Sequence, residues 1–410
     1  MREPSYMIII PMKEEDIMDP KIFIDNVFKS EHVKIKDIGG DEESGMIVTF
    51  QVDDAEYAVG VSPVDVEIPP YIRLAHSFSE EEFKLLDETR AGLSVCMDFE
   101  GDNNKCFYDQ IRIINAMYPE MLAVLDCPSE KLLSGKWVSL AANSSVLPAP
   151  RYLFTVQAVT GDGDEVWLHT HGLKRCGLYE LEILCSDRDH YNNHYKMIES
   201  FALHMLESDE PVEPGDAFTA GQASGYELTL TAVDWKEALE YYPNAELGTA
   251  EDREDDVHGE DTCVLMIYKN DNAIENKIYT PVHDFNRFLG DNPMFYFSKD
   301  ETRRMSALAV ERTSYLLKAF ENKDYEIILK IGLVVDEEYW DNGKPQKEYI
   351  WFRLSDVKDD KVICVLTQEP YYVSNIRKGD TGTYPLSDIT DWLVYTDERS
   401  IGPDDAYLLM

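Results

Sequence analysis

Residues 167–184 read WLHTHGLKRCGLYELEIL, and the fold prediction starts from this stretch. Its first residues belong to the second strand of a predicted hairpin. Residues 151–159 form the first strand, the Asp-Gly turn 161–164 follows, and residues 165–170 form the second strand. Residues 179–184 then add a third strand. These residues alone predict a continuous β unit in the middle of the chain.

Strand and helix patterns alternate before this unit. A strand at 6–12 precedes a helix at 21–29, a hairpin follows from Gly45 and Glu56, and Ser79 begins an acidic helix. Further patterns predict a strand at 92–99, a helix to 118 that Asn103 or Asn104 caps, and a strand from Met121. The alternation predicts a mixed or antiparallel N-terminal sheet that is covered by helices.

The region after residue 184 is more polar. Ser186 and Asp189 predict a capping box for a helix to about 206, and 208–216 is typical of a linker. A strand from Tyr226 precedes the acidic run 246–261, which we expect to be a mobile loop.

The C-terminal part begins with a capping box at Ser298 and Glu301, which predicts a helix to about 322. Strands are predicted at 325–335, 349–357 and 361–368, and the last two should pair antiparallel. The fold class is therefore α+β, with a C-terminal helix packed on a small antiparallel sheet.

The chain has 410 residues, which is more than one hydrophobic core normally organises, so we expect several domains. We predict an N-terminal segment at 1–140, a hairpin and helix at 141–210 that continue the same domain, a middle segment at 211–297, and a C-terminal module at 298–410.

The composition is strongly acidic, with 79 Asp and Glu against 38 Lys and Arg and a formal charge of −41. This charge disfavours binding to nucleic acid or to an anionic membrane. The acidic excess either keeps the protein soluble in the cytosol or attracts a basic protein partner. The chain has no run of apolar residues that is typical of a signal peptide or a membrane span. Its seven scattered cysteines, without a CxxC, indicate reduced thiols and a cytoplasmic location.

His169 and His171 lie two residues apart, as do Glu180 and Glu182 on the next strand. Residues two apart share a face of a strand, so these four side chains are candidate ligands for a divalent metal. The alternative is that they only stabilise the sheet as cross-strand pairs. His190 and His194 share a face of the following helix.

Cys176 is a candidate catalytic nucleophile, because the adjacent Lys174 and Arg175 could lower its pKa. His169 or His171 would then act as the base. A buried, inert thiol is the alternative. No phosphate-binding glycine motif and no GxSxG elbow occurs in the chain.

The C-terminal aromatics offer a third possibility, a platform that stacks a small ligand. They can equally fill the core of a small sheet. The residues are Trp351, Phe352, Tyr371, Tyr372, Tyr384 and Trp392.

The C-terminal segment resembles the domain-of-unknown-function family 2314 (DUF2314), through LLKAF at 316–320, EYIWFRLSDV at 348–357, RKGD at 377–380 and ITDW at 389–392. It departs from that pattern at Gln368 and at 362–364. The whole chain is similar to family 4026 (DUF4026), through YLFTVQAV, WLHTHGL and RCGLYELEIL. These resemblances imply a bacterial cytosolic protein, and they assign no reaction and no functional residue.

Three functions stay open. The first is a non-catalytic protein-interaction function, such as toxin neutralisation or a stress response, and it needs no cofactor. The second is a metal-dependent or Cys/His enzyme centred on residues 169–182. The third is a small-ligand sensor in the C-terminal sheet. The oligomeric state does not follow from the sequence.

Overall fold

A computed structural model describes residues 2–17, 19–41, 45–253, 258–289, 293–296 and 298–410. The chain forms two compact units. The first comprises Met1–Ala142 and Pro148–Tyr296, and the second comprises Asn143–Leu147 and Phe297–Met410. The predicted boundaries at residues 140, 210 and 297 stay predictions.

The first unit contains two sheets. Its first sheet consists of β1 (Ser5–Ile10), β2 (Val33–Asp41), β3 (Gly45–Val52), β4 (Ala55–Asp65), β5 (Arg73–Leu74), β6 (Ala91–Met97), β7 (Ala123–Asp126) and β8 (Lys131–Ser134). The strand order is β2-β3-β4-β6-β1-β7-β8-β5. Only the β5–β8 pair is parallel within the described residues, so the predicted mixed sheet is confirmed.

Helices cover this sheet: α1 (Pro20–Val27), α2 (Glu80–Glu88), α3 (Asn103–Met117) and α4 (Gly135–Ala142). Gln110 of α3 donates to the carbonyl oxygens of Ser5 and Val95, which joins the helix to β1 and β6. The helix start predicted at Ser79 is confirmed, and the structure adds that Ser79 and Glu82 form a capping box there. The cap predicted at Asn103 or Asn104 is wrong, because the Asp102 carboxylate accepts from the Lys105 amide instead.

The second sheet consists of β9 (Thr155–Thr160), β10 (Glu165–His171), β11 (Glu180–Asp187), β12 (Phe218–Ala223), β13 (Tyr226–Asp234), β14 (Thr262–Tyr268), β15 (Thr280–Pro281) and β16 (Met294–Phe295). Its order is β16-β12-β13-β14-β11-β10-β9, with β15 beside β14. The predicted hairpin β9–β10 and the third strand β11 are confirmed. β11 also pairs in parallel with β14, which brings Glu180 beside Thr262 from a distant part of the chain.

The helices of this part are α5 (Tyr191–Glu207), α6 (Trp235–Ala238), α7 (Asp271–Glu275) and α8 (Asn286–Leu289). The capping box predicted for α5 is wrong, because the N-cap residue is His190 and its side chain makes no capping hydrogen bond. The Ser186 hydroxyl instead pairs with His194 Nδ1 at 2.7 Å. None of the helices in the described ranges is both long and apolar enough to cross a membrane.

The second unit packs α9 (Lys299–Glu311) and α10 (Thr313–Phe320) on a sheet of β17 (Glu326–Val334), β18 (Lys347–Lys358), β19 (Lys361–Leu366), β20 (Thr381–Pro385), β21 (Ile389–Tyr395) and β22 (Ser400–Ile401). All pairs in this sheet are antiparallel. The buried Trp392 donates to the Ala309 carbonyl oxygen at 3.1 Å and so joins β21 to α9. The predicted α+β class is therefore confirmed.

One helix from Ser298 to residue 322 was expected, but the helix is interrupted. Ser298 does cap α9, as predicted, by accepting from the Glu301 amide at 3.0 Å. The break falls at Arg312, whose guanidinium donates to the carbonyl oxygens of Pro403 and Asp404. Since these acceptors lie outside the helix, the Arg312 side chain joins the break to the C-terminal segment.

The aromatic residues of the second unit do not form one platform. Phe352 and Trp392 are fully buried in the core, whereas Tyr371 and Tyr372 are exposed. The alternative that such residues fill the core of the sheet therefore holds for Phe352 and Trp392, and these six residues do not form one stacking surface.

Candidate metal centre

Strand β10 positions two of the histidines. It lies between β9 and β11 and is buried along almost its whole length. His169 and His171 share the face of β10 that also carries Trp167, and their ring centroids are 4.9 Å apart. The same-face prediction for these two histidines is confirmed.

A third histidine, His258, completes the group. Its ring centroid lies 4.3 Å from that of His169 and 4.9 Å from that of His171. One nitrogen from each of the three rings lies within 4.8 Å of the other two. All three side chains are buried, and His258 is only 1% exposed. We call His169, His171 and His258 the three-histidine cluster.

The spacing of these nitrogens is close to that of a metal site. Zinc–nitrogen bonds of about 2.0–2.1 Å in a tetrahedron separate the ligand nitrogens by about 3.4 Å. Nitrogens within 4.8 Å of one another therefore need to move by less than about 1 Å each to share an ion. Such a movement lies within small side-chain rotations.

Two of the three rings carry nitrogens that lack hydrogen-bond partners. Within the part of the chain that the structure describes, neither nitrogen of His258 has one, and Nδ1 of His169 has none. Buried polar atoms are almost always paired, and each one left unpaired costs about 1–3 kcal/mol. A neutral imidazole carries one lone pair on a ring nitrogen, so each of these two rings can offer one unpaired nitrogen to an ion.

Burial also keeps these two imidazoles neutral. It lowers the pKa of His169 to about 3, with further contributions from His171 and Arg253. The pKa of His258 falls to about 2, through burial and then through His169 and His171. Metals bind the neutral imidazole, so both rings are in the required state at neutral pH.

A buried ion pair stands behind the cluster. Both oxygens of Glu182 accept from the guanidinium of Arg253, at 2.6 and 2.5 Å, and both side chains are almost fully buried. Arg253 also donates to the carbonyl oxygens of Gly248 and His258. The pair therefore holds the segment that carries His258 against β11.

Two tryptophans enclose the Arg253 guanidinium. Its carbon lies 4.6 Å from the ring centroid of Trp235 and 5.7 Å from that of Trp167. Glu182 is also 3.6 Å from Nδ1 of His258. That ring is neutral, so the approach is not an ion pair, but a small rotation would let Nδ1–H donate to the carboxylate. Carboxylates placed in this way orient metal-binding histidines.

Glu130 approaches the cluster from the first sheet. It lies in the turn between β7 and β8, and its Oε2 is 3.7 Å from Nε2 of His171. Gln157, which faces His169 across the β9–β10 pair, donates to the same carboxylate oxygen. The Glu130 side chain is 24% exposed, so this side of the cluster is the one nearest to solvent.

The predicted carboxylates have other roles. Glu182 pairs with Arg253, as described, and it does not join the group of atoms that can share an ion. Glu180 accepts from the Thr170 hydroxyl at 2.6 Å and from the amides of Gly172 and Lys174. Burial raises the pKa of Glu180 to about 7 despite these donors. Glu180 therefore fastens the turn after β10.

Cys176 is not part of the three-histidine cluster, and its thiol is not activated. It is buried at the end of a short 3-10 helix, and this burial raises its pKa to about 12. The neighbouring Arg175 directs its guanidinium to the Asp126 carboxylate, which accepts from both of its terminal nitrogens. The flanking cations therefore do not lower the pKa of this thiol, and its burial agrees with the alternative of an inert thiol.

His190 and His194 form a separate and satisfied network. His190 pairs with Asp187 at 2.8 Å, and His194 bonds Ser186 and Asn286. Burial lowers the pKa of His194 to about 4. Since both nitrogens of His194 have partners, this pair stabilises the start of α5.

Sequence reasoning missed His258, Arg253 and Glu130. The first two fall in the acidic run 246–261, which was expected to be a mobile loop. Residues 254–257 of that run lie outside the described residues, but Arg253 and His258 on either side are buried. A cation and an imidazole inside such an acidic run were the available signal, whereas nothing in the sequence pointed to Glu130.

The structure thus defines an α+β protein with a buried three-histidine cluster in its second sheet. The chain belongs to the DUF4026 family: its N-terminal model, described as a protein of unknown function, matches residues 5–148, and its C-terminal model matches residues 156–266. Residues 303–406 match DUF2314, described as an uncharacterized protein conserved in bacteria. No curated protein and no solved structure shows a significant match. The predicted resemblance to both families is confirmed.

Proposed function

We propose that this protein binds one divalent transition-metal ion, Zn²⁺ in the first place, through the three-histidine cluster. The supporting observation is the convergence of three buried imidazoles, two of which carry nitrogens without a hydrogen-bond partner among the described residues. This proposal favours the metal-dependent alternative over a purely stabilising role of the histidines.

A purely stabilising role explains these residues less well. Cross-strand pairs stabilise a sheet through packing or through hydrogen bonds between the partners. Here the three rings contact one another, and buried nitrogens of two of them make no hydrogen bond to any described residue. Apolar side chains would fill the same volume without the desolvation of these nitrogens.

The ligand type narrows the choice of ion. Three imidazoles without a thiolate suit zinc, copper, iron and nickel, whereas magnesium and calcium prefer oxygen ligands. Zinc fits best because it accepts a tetrahedral site with three histidines. The Glu182–Arg253 pair would orient His258 behind such an ion.

The test is metal stoichiometry. We expect purified protein, stripped with chelator and reloaded with Zn²⁺, to bind one equivalent by mass spectrometry of the metal. His258→Ala should lose this equivalent, whereas His32→Asn should keep it, because the side chain of His32 is 58% exposed and is not part of the cluster. Equal zinc binding by the His258 variant would contradict the proposal.

A second candidate function, binding of a basic protein partner, has support in the second unit. Tyr339, Tyr371 and Tyr372 form an exposed tyrosine patch, with Tyr371 80% exposed. The ring centroid of Tyr372 lies 4.9 Å from that of Tyr339 and 6.2 Å from that of Tyr371. Glu348 accepts from the backbone amides of Tyr371 and Tyr372, so a carboxylate lies at the backbone of the patch.

Aromatic faces next to carboxylates favour arginine and lysine side chains. We expect a labelled oligo-arginine peptide to bind the full chain in fluorescence anisotropy, and more weakly as salt rises. A Tyr371→Ala, Tyr372→Ala double variant should bind several-fold more weakly. Tyr226→Ala, which removes an exposed tyrosine from the first unit, serves as the control. Equal affinities for all three proteins would exclude the tyrosine patch.

We also propose that the protein works in a bacterial cytoplasm. The support is the bacterial distribution of the DUF2314 family and seven cysteines that are all unpaired. Fractionation of the native host should place the protein in the soluble fraction. Recovery from the medium or periplasm would contradict this proposal.

A further inference from the structure

The three-histidine cluster would not neutralise the positive charge of the proposed metal ion. Imidazole ligands bind in their neutral form, so they leave both positive charges of the ion uncompensated. The nearest carboxylate behind the cluster, Glu182, is already bonded through both oxygens to Arg253. A buried ion in this state requires an additional anionic or strongly polar ligand.

The described residues supply three ligands for a tetrahedral ion. Among the described residues, the group of His, Cys, Asp and Glu atoms that can share an ion contains only the three histidines. Closed structural zinc sites use four protein ligands, whereas sites with three keep the fourth position for water or an incoming molecule. A metal bound by the three-histidine cluster would therefore keep its fourth coordination position for water or another small molecule.

The cluster has one side near solvent. His258 and His169 are 1% and 4% exposed, whereas the side chains of His171 and Glu130 are 10% and 24% exposed. Trp167 and the Glu182–Arg253 pair cover the other side. An incoming ligand can thus approach along Glu130, whose carboxylate oxygen is 3.7 Å from His171.

We propose that the fourth coordination position of the bound metal faces Glu130 and holds exchangeable water, which small monodentate anions can displace. This inference rests on the proposed metal binding. Glu130 accepts a hydrogen bond from the water, and its negative charge opposes the entry of other anions. The site thus takes small anions, and Glu130 sets how tightly they bind.

The experiment uses full-length protein loaded with Co²⁺, whose visible absorption reports the ligands of the ion. We first measure one bound Co²⁺ per chain, and then titrate with sodium azide at constant ionic strength. The expected result is a saturable change of the spectrum in the wild type. In Glu130→Gln, azide should bind at least about tenfold more tightly, because one nearby negative charge is removed.

Two controls separate the possible failures. Glu227→Gln removes an exposed acidic side chain from β13, outside the three-histidine cluster, and should leave the azide affinity unchanged. If no Co²⁺ binds, the metal proposal itself fails. If one Co²⁺ binds but azide leaves the spectrum unchanged, the protein fills the fourth position and only this inference is overturned. It is also overturned if Glu130→Gln weakens metal binding without changing the azide affinity, because Glu130 then only orients His171.

Discussion

Glu182→Gln changes one atom of the buried ion pair and tests how the three-histidine cluster is held. The substitution keeps the shape of the side chain but removes its charge. Arg253 is then left as an almost fully buried cation, with the carbonyl oxygens of Gly248 and His258 as its other acceptors. Breaking one side of a buried pair typically destabilises a protein by about 3–5 kcal/mol. We expect a loss at the lower end of this range, because the amide oxygen of the substituted side chain still accepts one hydrogen bond.

The same substitution should weaken zinc binding. Glu182 lies 3.6 Å from Nδ1 of His258, where it can fix the orientation of the ring, and Arg253 holds the backbone of that residue. Loss of a carboxylate behind a metal-binding histidine typically lowers metal affinity by about 10–100-fold. Zinc affinity can be measured by competition with a chromophoric chelator, and stability by urea unfolding of the metal-free protein.

A double variant separates the two effects. Glu182→Leu with Arg253→Met replaces the ion pair by apolar side chains, and such replacements are often neutral or stabilising. We expect its stability to recover toward that of the wild type while its zinc affinity stays low. Unchanged zinc affinity in Glu182→Gln would refute the reasoning, because the carboxylate would then not support His258.

Three further outcomes are expected. Burial lowers the folded-state pKa of His194 to about 4, whereas an unfolded histidine has a pKa of about 6.5. As the pH drops, the unfolded chain therefore binds a proton at this residue before the folded chain does. The free energy of unfolding should fall between about pH 6.5 and pH 4. Urea unfolding should show roughly 2 kcal/mol of this loss at pH 5, and His194→Gln should lack that part of the pH dependence. Trp392→Phe should destabilise the second unit by about 2–3 kcal/mol in thermal unfolding, because it removes buried volume and the bond to Ala309. Cys176 should resist iodoacetamide in the native protein at pH 8 and react once the protein is unfolded in urea, because its thiol is buried and its pKa is raised. Peptide mass spectrometry can measure the labelling, and rapid labelling of the native protein would contradict the burial of Cys176.

The sequence determined the local elements. Period-two alternation and the Asp-Gly turn specified the β9–β10 hairpin, and Ser79 and Ser298 specified two helix starts, because these signals act over a few neighbouring residues. It also placed His169 and His171 on one face, since the geometry of a strand requires this.

Only the tertiary structure decided the composition of the candidate site. The parallel pairing of β11 with β14 and the Glu182–Arg253 pair bring His258 to the first two histidines, and the turn before β8 brings Glu130. Each of these contacts joins residues that are far apart in the chain, and the free energy that selects them comes from burial and charge pairing across the whole unit. The acidic run could draw attention to His258 as an unusual residue, but its local pattern does not show which distant side chains His258 contacts, so only the folded chain groups it with His169 and His171.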